Sequence, residues 1–426
     1  MGFRTIEVGE GVRFHHLPAE RFKTLTFQAI FHLPLGPDVA EAALLPSLLR
    51  RGTRRHPDLA AIGRRLEDLY GAALEGDVSR MGERHLLHVT IDLVAPRHLP
   101  DSASVLAEGL AFLREVVFEP RLEGGHFPED VFAQERENLA RFVEGLLDDR
   151  AAFAVERCIQ AMCGGEPYGH YPYGRPEAIR ALDGERIVER YRRLQATAPL
   201  DLFAVGPADS HILEREARAF TEAIGKRRSV LVPPDPAPHP RRPVRRVEER
   251  LEVDQAKIVL GFRVDVRRGR EEDPGTALFA AVLGGGPYSK LFRKVREERS
   301  LAYYASASFE RTKGLLLVQA AVNPESIDAA VELCLEQVEA IGRGDIEEGE
   351  FEPARRALRL RLRSLSDSPS GQIGYAVERE LLGREGGPER EAEFIETADR
   401  DAVIEASGRV RLDTMFLLRP RDEAKG

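Results

Sequence analysis

The sequence predicts an α+β protein that arose by tandem duplication of two homologous domains, each a mostly antiparallel β-sheet with helices packed on one face. The main observation is an internal repeat, because residues 64–94 and residues 293–323 align without a gap, 229 positions apart (Arg64 to Arg293). Strand-like and helix-like segments also follow one another in the same order around both repeats. Since strands and helices do not alternate strictly, a doubly wound parallel sheet is disfavoured.

The elements of the two copies follow from hydrophobic periodicity. Several strands alternate apolar and polar residues, as in residues 262–266, so we expect one covered sheet face and one that faces a cavity or solvent. Helices show apolar residues at helical spacing. In order, the first and second copies contain strands 25–33 and 258–266, helices 39–49 and 276–283, strands 86–93 and 315–322, helices 102–117 and 326–341, and helices 129–147 and 347–365.

A proline-rich segment separates the two copies. Residues 230–243 read VLVPPDPAPHPRRP, and this density of proline permits neither a helix nor a central strand. We therefore expect an N-terminal domain at 1–229, a linker at 230–243 and a C-terminal domain at 244–426.

Composition excludes several classes of function. The formal net charge is −9, so the chain lacks the excess of basic residues that a nucleic-acid partner requires. No apolar run approaches the length of a membrane span, and the N-terminus has no apolar signal region. Three cysteines do not form a disulfide framework. We expect a soluble, cytoplasmic protein with no membrane partner.

The residue types that usually carry hydrolytic chemistry do not cluster in the sequence. His85 and His88 form an H-x-x-H pattern, but on a predicted strand they point to opposite faces and cannot readily share a metal. Cys158 and Cys163 are five residues apart, a spacing that suits neither zinc nor a redox pair. We therefore expect no metal site and no nucleophile in this chain on the basis of spacing alone.

One stretch carries a family resemblance. Residues 284–304 read GGGPYSKLFRKVREERSLAYY, with a glycine-rich turn, Ser-x-Leu-Phe, Val-Arg-Glu and Leu-Ala-Tyr. This stretch resembles the C-terminal-domain signature of the insulinase, pitrilysin and mitochondrial-processing-peptidase family, and the duplicated pattern extends the resemblance over nearly the whole chain. Family members pair two homologous α+β domains in a chain of this size.

The resemblance also implies a zinc site that this chain has lost. Active members carry an inverted zinc motif, H-x-x-E-H, on the first helix of the N-terminal domain, where two histidines and a distal Glu hold the metal. The corresponding positions here are Ala43, Pro46 and Ser47, and none of them is a good zinc ligand. Pro46 also removes a backbone donor from the helix and is expected to kink it.

The distal ligand is lost as well on the alignment that the resemblance gives. Its position is occupied by Phe142, although Glu135 and Glu137 lie nearby and leave the register open. The resemblance therefore implies that zinc, where it is needed, is bound by a partner subunit.

A second family feature is retained. Active assemblies use an Arg and a Tyr, seven residues apart, which face the zinc from a C-terminal domain, and these match Arg296 and Tyr303. Such a pair can stabilise the oxyanion that forms on a peptide carbonyl. Without the resemblance, Arg296 would be read as part of a solvated helix face and Tyr303 as a core residue.

Three functional hypotheses follow. The first is a non-zinc subunit of a heterodimeric metallopeptidase, inactive alone, which gives Arg296 and Tyr303 in trans to a homologous H-x-x-E-H chain that acts on peptides. The second is a catalytically inert scaffold or binding subunit, like the family-like core subunits of respiratory complexes. The third is a self-sufficient hydrolase with an unrecognised metal site. The isolated chain could also form a homodimer.

Overall fold

The computed structural model describes residues 2–99, 102–230, 243–266 and 273–421. The predicted linker at 230–243 therefore lies outside the described residues except at its two ends. Within the described part of the chain, no helix is both long and apolar enough to span a bilayer.

The first half contains a six-stranded sheet with helices. Its strands are β1 (Arg4–Gly9), β2 (Val12–Leu17), β3 (Thr24–Pro34), β4 (Ala73–Met81), β5 (Arg84–Val94) and β6 (Leu200–Val205). Its helices are α1 (Val39–Leu49), α2 (Leu59–Asp68), α3 (Ser102–Phe118), α4 (Glu129–Asp148), α5 (Arg150–Met162), α6 (Pro176–Arg180), α7 (Gly184–Thr197) and α8 (Ser210–Ile224). The strand order is β1-β2-β6-β3-β5-β4.

The second half contains a five-stranded sheet. Its strands are β7 (Arg245–Leu251), β8 (Ala256–Val264), β9 (Ala302–Glu310), β10 (Leu315–Val322) and β11 (Val410–Pro420). Its helices are α9 (Pro274–Gly284), a π-helix (Leu291–Glu298), α10 (Ile327–Gly342), α11 (Glu348–Leu365), α12 (Pro369–Leu381), α13 (Pro388–Thr397) and α14 (Arg400–Ser407). The strand order is β7-β11-β8-β10-β9.

The two sheets share one topology, which confirms the predicted duplication. The sequence β2-β6-β3-β5-β4 in the first sheet corresponds to β7-β11-β8-β10-β9 in the second. In each sheet the described pairings are antiparallel apart from one, β2 with β6 and β7 with β11. The strand β1 has no counterpart among the described strands of the second sheet. The α+β class and the mostly antiparallel sheets are therefore as predicted.

Local sequence explains how the helices sit on the sheets. The short helix α1 is apolar around most of its circumference, and it is buried accordingly. It packs against β4, β5 and α7, and its residues join the first hydrophobic core, which also contains alternate residues of β3, among them Leu25, Phe27 and Phe31. The helix α2 begins at Asp58, whose carboxylate accepts the backbone N–H of Ala61 as an N-cap.

Packing divides the chain into two units, which differ from the predicted domain boundaries in one segment. The first unit is Met1–Gly145 with His170–Pro234, and the second is Leu146–Gly169 with Asp235–Gly426. The segment 146–169 falls within the predicted N-terminal domain at 1–229, but it belongs to the second unit because α5 packs on the second sheet. Cys158 and Met162 of α5 share a hydrophobic cluster with Val259 and Phe416.

The expectation that β8 has one uncovered face is wrong. Phe262 and Val264 of β8 enter the main core of the second unit, as the alternation predicts. Arg263, on the opposite face, is only 2% exposed, because the segment that follows α5 covers it. Its guanidinium donates to Glu166 Oε2 at 3.0 Å and lies 3.6 Å from Asp413 Oδ2, so its charge is compensated within the protein.

Candidate functional site

The positions that match the family's zinc motif lie together on α1 and carry no metal ligand. Ala43 and Pro46 are buried, and Ser47 is half-buried. The helix runs from Val39 to Leu49 with Pro46 inside it, so one backbone N–H is missing from its hydrogen-bond ladder. The side chains of Ala43 and Pro46 have no lone pair for zinc, and a neutral serine hydroxyl binds it poorly.

Pro46, at the position that matches the Glu of the H-x-x-E-H motif, packs closely against the sheet. A Cβ atom placed on Gly76 of β4 would lie 3.0 Å from Pro46 Cβ and 3.4 Å from Arg50 Cδ. Glycine at position 76 therefore allows the strand to approach the proline ring closely. The chain therefore has no carboxylate at the position of the motif Glu.

The position that matches the distal ligand is part of an aromatic group. Phe142 on α4 is 49% exposed, and its ring meets that of Tyr173 edge to face with the centroids 5.3 Å apart. The Tyr173 hydroxyl donates to Asp77 Oδ1 at 2.8 Å. Burial, together with this bond to Asp77, raises the pKa of Tyr173. Phe142 cannot supply a third metal ligand.

The two neighbouring carboxylates on α4 are held in ion pairs. Glu135 is buried, and its Oε1 lies 3.4 Å from Arg51 Nη1. Glu137 lies 3.1 Å from Arg180 Nε and 3.0 Å from Arg141 Nε, and these hydrogen bonds lower the pKa of Glu137. The residues around α1 and α4 therefore do not fit the zinc of the active family members.

Arg296 lies on the π-helix of the second unit. Leu291 and Val295 anchor this helix in the core, whereas Arg296 is exposed. The Cζ atom of Arg296 lies 4.6 Å from the centroid of the Phe292 ring, a cation–π arrangement. Sequence reasoning placed Arg296 on a helix but did not foresee its widened turns, which occur frequently at functional sites.

A buried ion pair fixes the start of the π-helix. Lys290 Nζ lies 3.0 Å from Glu350 Oε2, and the two side chains are 1% and 0% exposed. The same carboxylate lies 3.6 Å from Arg293 Nη1 and accepts the backbone N–H of Glu347 at 3.0 Å, which completes a capping box at the start of α11. This carboxylate thus ties the segment that carries Arg296 to α11.

Tyr303 lies at a β-bulge near the start of β9. Its two chain neighbours pair with Ala321 and Val322 of β10, so Tyr303 is the extra residue of the bulged strand. The side chain is 54% exposed rather than in the core. Its hydroxyl donates to Asn323 Oδ1 at 3.0 Å. Bulges commonly redirect a side chain next to a functional site, and no local sequence signal revealed this one.

The turn between the two residues has an unusual backbone. Ser300, between the π-helix and β9, has a φ of 50°, a region that residues with a side chain seldom adopt. The structure thus places Arg296 and Tyr303 on either side of one short turn, and both are exposed. Their side chains contact different neighbours, Phe292 and Asn323.

A buried carboxylate cluster in the first sheet was missed by sequence reasoning. Asp201 is 1% exposed and accepts two hydrogen bonds from Arg13, at 2.8 and 2.7 Å. His32 Nε2 lies 2.8 Å from Asp201 Oδ2, and His15 Nε2 lies 3.3 Å from Oδ1. Burial alone would raise the pKa of Asp201, but His15 and His32 hold it well below the usual value. The cluster joins β2, β3 and β6, and its signal was a lone Asp in the apolar strand LDLFAV.

The other sequence candidates have structural surroundings. His85 is fully buried on β5 and His88 is half-buried. Burial, followed by the charge of Arg190, lowers the pKa of His85 to about 4. Cys158 and Cys163 are buried free thiols, and burial raises the pKa of Cys158. None of these four groups forms a reactive arrangement with another described residue.

Comparison with known proteins finds a family model and relatives that resemble this chain. The sequence model of the family described as Peptidase M16 inactive domain matches residues 184–358. A Bacillus subtilis protein named "Probable inactive metalloprotease YmfF" is 29% identical over 97% of this chain and 97% of that protein. The similarity to this Bacillus subtilis protein extends over nearly the full length of the chain.

Solved structures share the fold. A conserved protein from Enterococcus faecalis superposes with a TM-score of 0.91 at 25% identity over 100% of both chains. A peptidase M16 inactive domain from Pseudomonas fluorescens superposes with a TM-score of 0.79 at 17% identity, also over 100% of both chains. Over nearly its whole length the chain is therefore similar to a protein named as a probable inactive metalloprotease, and its residues 184–358 match the Peptidase M16 inactive domain model.

Proposed function

We propose that this chain is the non-zinc subunit of a heterodimeric metallopeptidase and supplies Arg296 and Tyr303 in trans to a zinc-bearing homologue. The observation that carries the proposal is a contrast between two sets of family positions in this chain. The zinc-motif positions hold no ligands, whereas Arg296 and Tyr303 are both exposed beside a strained turn. On this proposal the isolated chain does not hydrolyse peptides, and zinc is bound by the partner subunit alone.

The two side chains have the donors that peptide hydrolysis requires. Attack on a peptide carbonyl creates an oxyanion, and donors placed beforehand at that oxygen stabilise it in the transition state. The Arg296 guanidinium offers several N–H groups in a planar fork, which also suits substrate carbonyl oxygens. The Tyr303 phenol offers one O–H donor, which donates to Asn323 Oδ1 in this structure. Substrate binding must therefore exchange the bond to Asn323 for a bond to substrate.

The substrates on this proposal are peptides or unfolded segments. Two homologous chains would enclose a chamber, and each would contribute part of its wall. A closed chamber excludes folded proteins and admits flexible chains.

A catalytically inert scaffold or binding subunit is the alternative, and two contacts favour it. Arg296 stacks on Phe292 within its own helix, and the Tyr303 hydroxyl is bonded to Asn323. Both side chains therefore have neighbours in the chain itself. The Bacillus subtilis relative is also named as a probable inactive metalloprotease. On this alternative the exposed pair is incidental, and the chain acts by binding a partner.

The deciding experiment mixes this chain with its closest H-x-x-E-H homologue from the same genome. Cleavage of a quenched fluorescent peptide is followed for the mixture and for each chain alone, and sedimentation shows whether a mixed dimer or a homodimer forms. Activity that requires both chains supports the heterodimer. A zinc chain that is equally active alone, with no change on mixing, favours the scaffold.

A further inference from the structure

The second unit contains a partly open cavity that the proposed catalytic role does not use. It has a volume of about 260 Å³ and lies between α9, β9 and α11. Its wall is partly apolar and partly polar, and the space exists because α9 presents small side chains where larger ones would fill it. The apolar and aromatic lining includes Ala277, Ala280, Ala281, Tyr288, Phe309 and Leu358.

Two arginines line the cavity, and they differ in their surroundings. Arg311 Nη2 lies 2.5 Å from Glu391 Oε1, and Arg311 Nη1 lies 3.8 Å from Glu378 Oε1, so its charge is compensated. Arg361 is exposed and has no carboxylate within ion-pair distance among the described residues. Arg361 is therefore the group in the lining that is available to an incoming anion.

The surface beside the cavity is basic. Residues 353–365 of α11 contain five arginines and no acidic residue, in a chain whose net charge is −9. Arg355 bonds to Glu352 and Arg359 to Glu396, which leaves Arg356, Arg361 and Arg363 without a paired carboxylate among the described residues. A local positive surface of this kind attracts acidic partners at long range.

The size of the cavity indicates what kind of group would enter it. Pockets for small molecules and cofactors usually enclose roughly 300–1,000 Å³. A smaller, partly open cavity with apolar side chains in its wall, next to a charged surface, instead suits a single anchoring side chain of a protein segment. Leu360, between these arginines, is 64% exposed and adds apolar contact area outside the cavity.

We propose that the α11 surface at Arg361 binds an acidic protein segment, with one apolar side chain of that segment in the α9–β9–α11 cavity. An acidic group of the segment would pair with Arg361 at the cavity, and the apolar residue would displace water from the alanines of its wall. Arg356 and Arg363, on another face of α11, would add long-range attraction. This inference goes beyond the proposed peptidase role and does not depend on Arg296 or Tyr303.

The test uses a fluorescein-labelled peptide of glutamate and aspartate residues with one central leucine. Fluorescence anisotropy measures its binding to the full chain, and to the Arg361→Glu and Arg343→Glu variants. Arg343 is an exposed arginine that follows α10 and gives the same change in charge away from the cavity. The expected result is a loss of affinity of about 10-fold or more for Arg361→Glu and less than about 2-fold for Arg343→Glu.

The apolar anchor is tested separately. Replacing the leucine of the peptide by serine should weaken binding about 10-fold, because the apolar contact is lost. Filling the cavity with Ala281→Leu should have a similar effect, and circular dichroism shows whether that variant folds. If it does not fold, the serine peptide carries this arm of the test alone.

Three outcomes would overturn the inference. One is the absence of saturable binding of the acidic peptide to the unaltered chain. Another is an equal effect of Arg361→Glu and Arg343→Glu, which would indicate nonspecific charge attraction. The third is Arg361-dependent binding to vesicles of phosphatidylcholine and phosphatidylserine without binding of the peptide, which would identify a lipid surface instead.

Discussion

Lys290 and Glu350 form an ion pair with an N–O distance of 3.0 Å in which both side chains are almost wholly buried. Removing Lys290 leaves the buried Glu350 carboxylate with only the more distant and partly exposed Arg293 as a cation, and breaking a buried pair in this way costs about 3–5 kcal/mol. We therefore expect Lys290→Met to destabilise the second unit by that amount. Urea unfolding followed by far-UV circular dichroism measures the change, since the chain has no tryptophan.

The matched control for this prediction is Lys294→Met. Lys294 also pairs with a carboxylate, Glu298, but the pair is largely exposed, so its loss should cost less than about 1 kcal/mol. The double variant Lys290→Met, Glu350→Leu removes both buried charges and should recover much of the lost stability. Equal effects of Lys290→Met and Lys294→Met would show that the buried pair does not anchor the π-helix.

The hydrogen bond between Tyr303 and Asn323 gives a prediction about activity in the mixed complex. If the phenol must donate its hydrogen bond to substrate, the bond to Asn323 has to be broken first, and breaking it costs about 1 kcal/mol. We expect Asn323→Ala to raise kcat by up to about 5-fold and Tyr303→Phe to lower it strongly. Tyr304→Phe, at the next position of β9, is the control. A large loss of activity in Asn323→Ala would mean that Asn323 positions the phenol.

His85 gives a prediction about stability and pH. Burial lowers the pKa of His85 to about 4 from its usual 6.5. Between these two pKa values the unfolded chain binds a proton at His85 that the folded chain does not, so stability must fall as the pH falls through this window. From pH 7.5 to pH 5.0 the contribution of His85 is a loss of about 2 kcal/mol.

The measurement is the urea midpoint at the two pH values. We expect His85→Gln to lose less stability than the unaltered chain on acidification, because the group that binds the extra proton is absent. His211→Gln changes an exposed histidine and should leave the pH dependence as it is. An unaltered pH dependence in His85→Gln would contradict the assignment of this proton uptake to His85.

Metal binding tests the alignment of the lost zinc site. The unaltered chain should retain no stoichiometric zinc after dialysis, because Ala43, Pro46, Ser47 and Phe142 are not ligands. The variant Ala43→His, Pro46→Glu, Ser47→His restores two imidazoles. Adding Phe142→Glu should tighten zinc binding by about 10-fold or more, as a third ligand does. Calorimetry measures this change in affinity, and emission spectroscopy measures how much zinc each variant retains.

If the three-residue variant binds zinc as tightly as the four-residue variant, the third ligand lies elsewhere. The nearby candidates are then Glu135 and Glu137, whose ion pairs with Arg51 and Arg180 would have to break. One equivalent of zinc in the unaltered chain after dialysis would support a self-sufficient hydrolase instead.

Much of the fold was predictable because the duplication repeats local patterns. The helix α1 and the strand β10 have the predicted bounds, 39–49 and 315–322, and the other paired elements differ by a few residues at their ends. Hydrophobic periodicity predicts such elements well because it shows which face of each helix or strand is buried. The positions of Ala43, Pro46 and Ser47 on one buried helix follow from the same reasoning.

The features that were not predicted depend on contacts distant in sequence. The membership of α5 in the second unit depends on its packing against β8 and β11, which lie about 100 and 260 residues further along the chain. The bulge at Tyr303 arises from the register of β9 with β10, and the cluster at Asp201 joins strands that are far apart in sequence. Local propensity contains none of this information.

The most direct test of the proposed role is peptide cleavage by the mixture of this chain with its zinc-bearing homologue when Arg296 is replaced. Arg296→Ala should lower kcat by about 10²-fold or more, as the loss of an oxyanion donor does, while Arg299→Ala, an exposed arginine three residues further on, should leave it within about 2-fold. Sedimentation confirms that both variants still form the mixed dimer. Unchanged kcat in the Arg296→Ala mixture, with the dimer intact, would contradict the proposal that this chain contributes a catalytic residue in trans.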